Sequence, residues 1–145
     1  MPVEEYTSFE DALIADMRAH HGAVTTGPLA GHPLLIMMST GAKSGERRRS
    51  ILTYTRDGDA YVVAGTAGGS AKDPAWIRNV SADPHVTVEI ANRLFDATAS
   101  VVESGADRDR LWDAHVAALP TFAAYPEQTG RIIPMVRLTP DDASA

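Results

Sequence analysis

Five cations crowd residues 41–59, GAKSGERRRSILTYTRDGD: Lys43, Arg47, Arg48, Arg49 and Arg56. The 145-residue chain as a whole carries a formal net charge of −6, so this stretch is a basic island on an acidic protein. Three adjacent arginines beside a lysine repel one another unless they share an anion. Arginine grips carboxylate or phosphate through two parallel hydrogen bonds, and lysine adds a point charge. An edge strand kept soluble by charge is the plainer alternative. A second stretch, GTAGGSAKDPAW (residues 65–76), points the same way. Gly68 and Gly69 let a ligand approach the backbone, Lys72 lies beside them, and a helix start follows whose free amides suit an anion. Simple turn geometry also accounts for the glycines. The stretch is neither a Walker loop nor a G-x-G-x-x-G turn. Together the two loops predict a site for an elongated, polyanionic small molecule.

Other chemistry is missing. The chain has no cysteine, which removes disulfides, zinc–thiolate centres, iron–sulfur clusters and cysteine nucleophiles. Its histidines, at 20, 21, 32, 85 and 115, show no helical metal spacing, so no metal site is expected. His115 reads as a helix residue packed beside Trp112. No G-x-S-x-G elbow is present, which argues against a hydrolase. A pI near 5.2 argues against nucleic-acid binding. The N-terminus lacks a charged-then-apolar leader, and the longest apolar run, residues 33–38, is too short to cross a bilayer. A cytoplasmic protein is expected.

The elements that must hold these loops follow from periodicity. Ser8 reads as the cap of a helix carrying Phe9, Leu13 and Met17, stopped by Gly22. Residues 34–40 read as a buried strand. Residues 49–56 and 60–66 flank Asp57-Gly58 as a hairpin. Asp73 as N-cap and Pro74 as first helical residue open a short helix to about Ala82. VTVEI and LFDATASVV alternate across ANR as a second hairpin. Ser104 and Asp107 cap a helix bearing Leu111, Trp112, His115, Val116 and Leu119, ended by Pro120. In the last strand, IIPMVRL, Pro134 points to an edge or a bulge. The predicted fold class is α+β: about six antiparallel strands curled into a small barrel, with three short helices outside. Residues 1–145 read as one domain, with an N-terminal helix and loop (1–33) before the barrel (34–140).

Residues 34–140 resemble the deazaflavin-dependent nitroreductase family of actinobacteria. The resemblance is carried by STGAKSGERRRSILTY, RDGDAYVVAGTAGGSAKDPAWIRNVSADPHVTVEI, the RLW helix and YPEQTGRIIPMVRLTP, in matching order and spacing. It implies a split β-barrel, a mostly monomeric protein, and coenzyme F-420, a deazaflavin with a phosphate and an oligoglutamate tail. The resemblance places Lys43 and Arg48 on the anionic tail or phosphate. It lines the cofactor groove with Ala64, Gly65, Gly68, Gly69, Lys72, Trp76 and Asn79. The family's first cation in R-K-S-G is Ala42 here, with Arg47 and Arg49 as substitutes. The substrate pocket falls on Thr53, Tyr54, Thr66, Leu119, Phe122 and Tyr125.

The implied reaction is hydride transfer from the reduced deazaflavin to an electron-poor quinone, conjugated enone or lactone, or nitro compound. Solvent, Tyr125 or Thr66 would supply the proton, so no carboxylate acid is needed. An FMN-dependent oxidoreductase on the same barrel and a non-catalytic deazaflavin carrier are the alternatives.

Overall fold

Two strands separated by a single residue occupy opposite edges of one sheet, and this forces the sheet to curl. The computed structural model describes residues 12–20, 33–65, 74–124 and 132–141. Among them, seven strands form one antiparallel sheet: β1 (Leu34–Thr40), β2 (Arg47–Thr53), β3 (Thr55–Asp57), β4 (Ala60–Ala64), β5 (His85–Ile90), β6 (Arg93–Val102) and β7 (Met135–Pro140). Their order is β2-β1-β5-β6-β7-β4-β3. Only Tyr54 lies between β2 at one edge and β3 at the other, so Thr53 and Thr55 are at most about 7 Å apart. The edges meet, and the sheet is a split barrel. Three α-helices pack on it: α1 (residues 12–19), α2 (Ala75–Ala82) and α3 (Ala106–Ala118), the last followed by a 3₁₀ turn, Pro120–Ala124.

Alternation along the strands sorts the side chains into two environments. Leu35 and Met37 of β1 join Val63, Val88, Ala97, Val136 and Leu138 inside the barrel, where Trp76, Ile77 and Val80 of α2 cover them. Leu34 and Ile36 point outward onto Ile14 and Met17 of α1. Val62, Ala64, Ile133 and Met135 also point outward, onto Leu111, Trp112, Leu119 and Phe122. Arg18 clamps α1 to the sheet through two bonds to Glu89 of β5, 2.9 and 2.8 Å.

Both hairpins form. Asp57-Gly58 joins β3 to β4, with Thr55 opposite Val62. ANR joins β5 to β6, with Ala91 and Asn92 at φ 51° and 65°, the left-handed pair of a type I′ turn. Other expectations need correction. Residues 49–56 are not one strand: 47–53 pair with β1 and only 55–57 pair with β4, which raises the strand count to seven. Pro134 marks no edge, because β7 lies between β6 and β4; the proline stands just before the strand and its carbonyl accepts the Gly65 amide at 2.9 Å. Helix α2 is capped by Pro74, one residue later than expected. Helix α3 starts after Gly105 with no side-chain cap, so neither Ser104 nor Asp107 fills that role. Ser8, Phe9, Gly22 and Asp73 lie outside the described residues.

Candidate functional site

The basic loop follows β1, and strand register decides which of its cations face the same way. Arg48 pairs with Ser39, so it shares the face of Leu35 and Met37 and rises beside α2 at the barrel mouth. Arg47 pairs with Thr40 on the outer face. There it is held by Thr40 Oγ1 at 3.1 Å, the Met38 carbonyl at 3.2 Å and Thr87 Oγ1 at 3.0 Å. Its guanidinium is occupied with fold, and it does not substitute for the missing cation at Ala42.

Arg48 helps to line a cleft of about 490 Å³ bounded by residues 41–44, Arg48, Arg49, Ser50, Ala75, Trp76, Arg78 and Asn79. The loop's shape is imposed by short bonds: Gly41 N–H to the Glu46 carbonyl at 2.7 Å, and Gly45 N–H to the Gly41 carbonyl at 2.9 Å. A Cβ on Gly41 would sit 2.7 Å from Ser44 Oγ and 3.3 Å from the Glu46 carbonyl, so a side chain here would displace the Ser44 hydroxyl. Asn79 Oδ1 accepts the Ala42 amide at 3.0 Å and ties the loop to α2.

Three cations, Lys43, Arg48 and Arg78, converge on this cleft, and Arg49 borders it from β2, paired with Met38 on the face it shares with Arg47. Lys43 and Arg78 have no acidic partner among the described residues. Arg48 has loose ones, Glu46 at 3.5 Å and Ser44 Oγ at 3.4 Å. The first α2 bond runs from Ile77 N–H to the Pro74 carbonyl. That leaves the Ala75 and Trp76 amides without intrahelical partners at the positive end of the helix dipole. Ser39 Oγ, buried opposite Arg48, has no hydrogen-bond partner among the described residues. Lys43, Arg78 and the free amides are the kind of donor set that phosphate and carboxylate groups require. A polyanionic cofactor tail therefore fits. Sequence reasoning missed Arg78. The signal available was its place one turn into the helix, between Trp76 and Asn79.

From this cleft β2 runs five residues to Thr53, about 17 Å in extended chain. Continuing the β3–β4 register past Tyr54 brings Thr53 beside Ala64. Gly65 follows, tightly enclosed: a Cβ would meet Ile77 Cδ1 and Pro134 Cγ at 3.0 Å, and these side chains would have to give way. Leu119 and Phe122 pack in the same outward cluster as Ala64. Thr53 thus borders the buried wall that Ala64, Leu119 and Phe122 form with α3. Tyr54 faces the other way, packed edge-on to Tyr61 at 5.6 Å with the barrel interior, where burial raises its hydroxyl pKa. It does not join them. Thr66, Gly68, Gly69, Lys72 and Tyr125 lie outside the described residues.

The wall is braced from behind by α3. Asp107 accepts bonds from Arg137 at 2.8 and 2.7 Å and from Arg110 at 3.0 Å. Asp57 accepts from Arg137 at 2.9 Å and from Arg110 at 3.1 and 3.3 Å. These bonds hold the Asp107 carboxyl down to about 2 and lower that of Asp57. Asp107, expected as a cap, is instead an anchor of α3 to the sheet.

A family model described as F420H(2)-dependent quinone reductase matches residues 13–140. An F420H(2)-dependent quinone reductase of Mycobacterium tuberculosis (strain ATCC 25618 / H37Rv) is 37% identical over 109 residues, 74% of this chain and 73% of that protein. A solved structure titled F420-H2 dependent reductase is 34% identical, with a TM-score of 0.66 over 73% of this chain and 93% of that one. Another, described as a domain-swapped dimer, is 28% identical, with a TM-score of 0.67 over 95% of this chain and 99% of that one.

Proposed function

This chain belongs to the F420H(2)-dependent quinone reductase family, and on that premise we propose that it reduces quinones with coenzyme F-420 held along β2 and α2. When bound, the reduced cofactor supplies a hydride from its deazaflavin C5. The observation that carries the reading is the cation cleft. Lys43, Arg48 and Arg78, bordered by Arg49, surround the free amides of α2 on an otherwise acidic protein. These cations hold the phosphate and glutamate carboxylates, and Lys72, Gly68 and Gly69 are assigned to the same end of the cofactor. Trp76, Asn79, Ala64 and Gly65 line the path from the tail to the ring.

Thr53, Thr66, Leu119, Phe122 and Tyr125 form the acceptor side. The described part of this wall is mainly apolar, so it stacks a flat conjugated ring and sheds water from it. An apolar wall returns little of the desolvation cost of a nitro group. Quinones and α,β-unsaturated lactones are therefore favoured over bicyclic nitroimidazoles. The proton that completes reduction comes from solvent, Tyr125 or Thr66, and no carboxylate acts as acid. On this reading the enzyme is a cytoplasmic monomer. Among the described residues no helix is long and apolar enough to cross a membrane.

The test is oxidation of reduced coenzyme F-420 by menadione. Turnover is expected with menadione and weaker turnover with a bicyclic nitroimidazole. Absence of turnover with every quinone and enone tried would refute the reading.

A further inference from the structure

The basic loop has little to hold it in place. Residues 42–48 are all exposed, so no apolar burial anchors them. Short bonds close the loop on itself: Gly41 N–H to the Glu46 carbonyl, Gly45 N–H to the Gly41 carbonyl, and Glu46 N–H to Ser44 Oγ at 3.2 Å. These set its shape but not its distance from α2. The helix is fixed, because Trp76, Ile77 and Val80 are buried in the barrel core. Among the described residues one hydrogen bond spans the two, from Ala42 N–H to Asn79 Oδ1 at 3.0 Å. The residues it joins adjoin the two cleft cations that lack an acidic partner among the described residues: Lys43 follows Ala42, and Arg78 precedes Asn79. Like charges on the two walls repel, and the loop is the wall free to give way.

We propose that the Ala42–Asn79 bond is a latch that sets the cleft before the anion arrives, and that Asn79 is a positioning residue acting through the loop. This rests on the function proposed above, in which the cleft takes the anionic end of the cofactor. Because the loop supplies a donor, the atom facing it is the amide oxygen, which fixes the orientation of the Asn79 side chain. A neutral acceptor suits the task. A carboxylate at position 79 would hold the same amide but would also cancel the cations that the ligand needs. With the latch made, the loop carrying Lys43 is ordered in the free protein; without it, that ordering is charged against binding.

Two substitutions break the same bond from opposite sides. Asn79→Ala removes the acceptor and places the strongest helix former in α2. Ala42→Pro removes the donor; Ala42 is the first corner of the turn closed by the Gly45–Gly41 bond and has a negative φ, which proline accepts. Each alone should weaken binding of oxidised coenzyme F-420 about 3- to 10-fold, the size of one neutral hydrogen bond. The double variant should bind no more weakly than the weaker single one, because both changes remove one interaction. The loss should fall on KM for the reduced cofactor more than on kcat, and should vanish for a deazaflavin alcohol lacking phosphate and glutamates. In the free protein, exchange of the Ala42 amide hydrogen followed by NMR should be slowed in the parent and fast in Asn79→Ala, a readout that needs no cofactor. Losses that multiply in the double variant, or an Ala42 amide that exchanges equally in parent and Asn79→Ala, would overturn the proposal. Failure of the parent to bind oxidised coenzyme F-420 would instead refute the function on which it rests.

Discussion

Removing the cleft cations one at a time should give a graded loss of cofactor affinity whose order follows from geometry. Lys43 and Arg78 face the cleft with no acidic partner among the described residues, so an incoming carboxylate or phosphate gains their full attraction. A charge-assisted hydrogen bond contributes roughly 1.5–3 kcal/mol, which places Lys43→Ala and Arg78→Ala at about 10- to 100-fold weaker binding. Arg48 must first release Glu46 at 3.5 Å and Ser44 at 3.4 Å. Such exposed contacts are worth less than about 1 kcal/mol, so Arg48→Ala should cost somewhat less, about 3- to 30-fold. Arg47 is adjacent in sequence but spends its donors on Thr40, Met38 and Thr87 across the outer face. Arg47→Ala should leave affinity within about twofold and lower stability instead by about 1 kcal/mol. Fluorescence titration with oxidised coenzyme F-420 at low and high salt, with urea melts alongside, separates these effects. An Arg47→Ala loss equal to that of Lys43→Ala would refute the assignment of faces. So would losses at Lys43 and Arg78 that added salt fails to shrink, since exposed charges are screened.

The His115 pKa falls from 6.5 to about 4 on folding, so the unfolded chain binds the extra proton between those values. Stability contributed by the neutral ring is complete above pH 6.5 and is lost as pH falls toward 4, by about 3 kcal/mol. Urea melts at pH 7 and 4.5 should show the drop, and His115→Asn should flatten it; an equal drop in the variant refutes the assignment. Gly65→Ala would press a Cβ against Ile77 and Pro134, both at 3.0 Å, and should cost about 1–3 kcal/mol by the same melts. An unchanged midpoint would mean that β4 and α2 separate freely there. Asp107→Asn removes the charge that Arg110 and Arg137 share and should lower the melting temperature, with the gap to the parent narrowing in high salt. A salt-independent gap would point to lost packing instead.

Much of the fold was legible because local signals and global pairing agree. ANR between two alternating runs gave β5–β6, and Asp57-Gly58 gave β3–β4. What was illegible depends on partners distant in sequence. Nothing local reveals that Tyr54 separates two opposite edges of the sheet, because that follows from β2 pairing with β1 and β4 with β7. The same blindness hid the division of labour within Arg47-Arg48-Arg49. A run of arginines shows charge, but only the register with Thr40 and Ser39 says which one faces outward and which the barrel mouth. Pro134 suggested an edge because proline lacks a donor; its position just ahead of β7 makes the missing donor harmless. Asp107 looked like a cap because acid near a helix start usually is one, whereas its partner Arg137 lies thirty residues on. The basic island was legible from composition, and the lone Arg78 that completes it was not.

The central claim is that the cleft recognises the anionic end of a deazaflavin. The direct measurement compares oxidised coenzyme F-420 with the same deazaflavin alcohol lacking phosphate and glutamates, titrated into the parent protein at low salt and in 1 M salt. Two charge-assisted contacts at roughly 1.5 kcal/mol each predict that the complete cofactor binds at least about 100-fold more tightly at low salt, with the gap narrowing sharply in high salt. Equal affinities for the two molecules, or a preference that salt leaves intact, would contradict it.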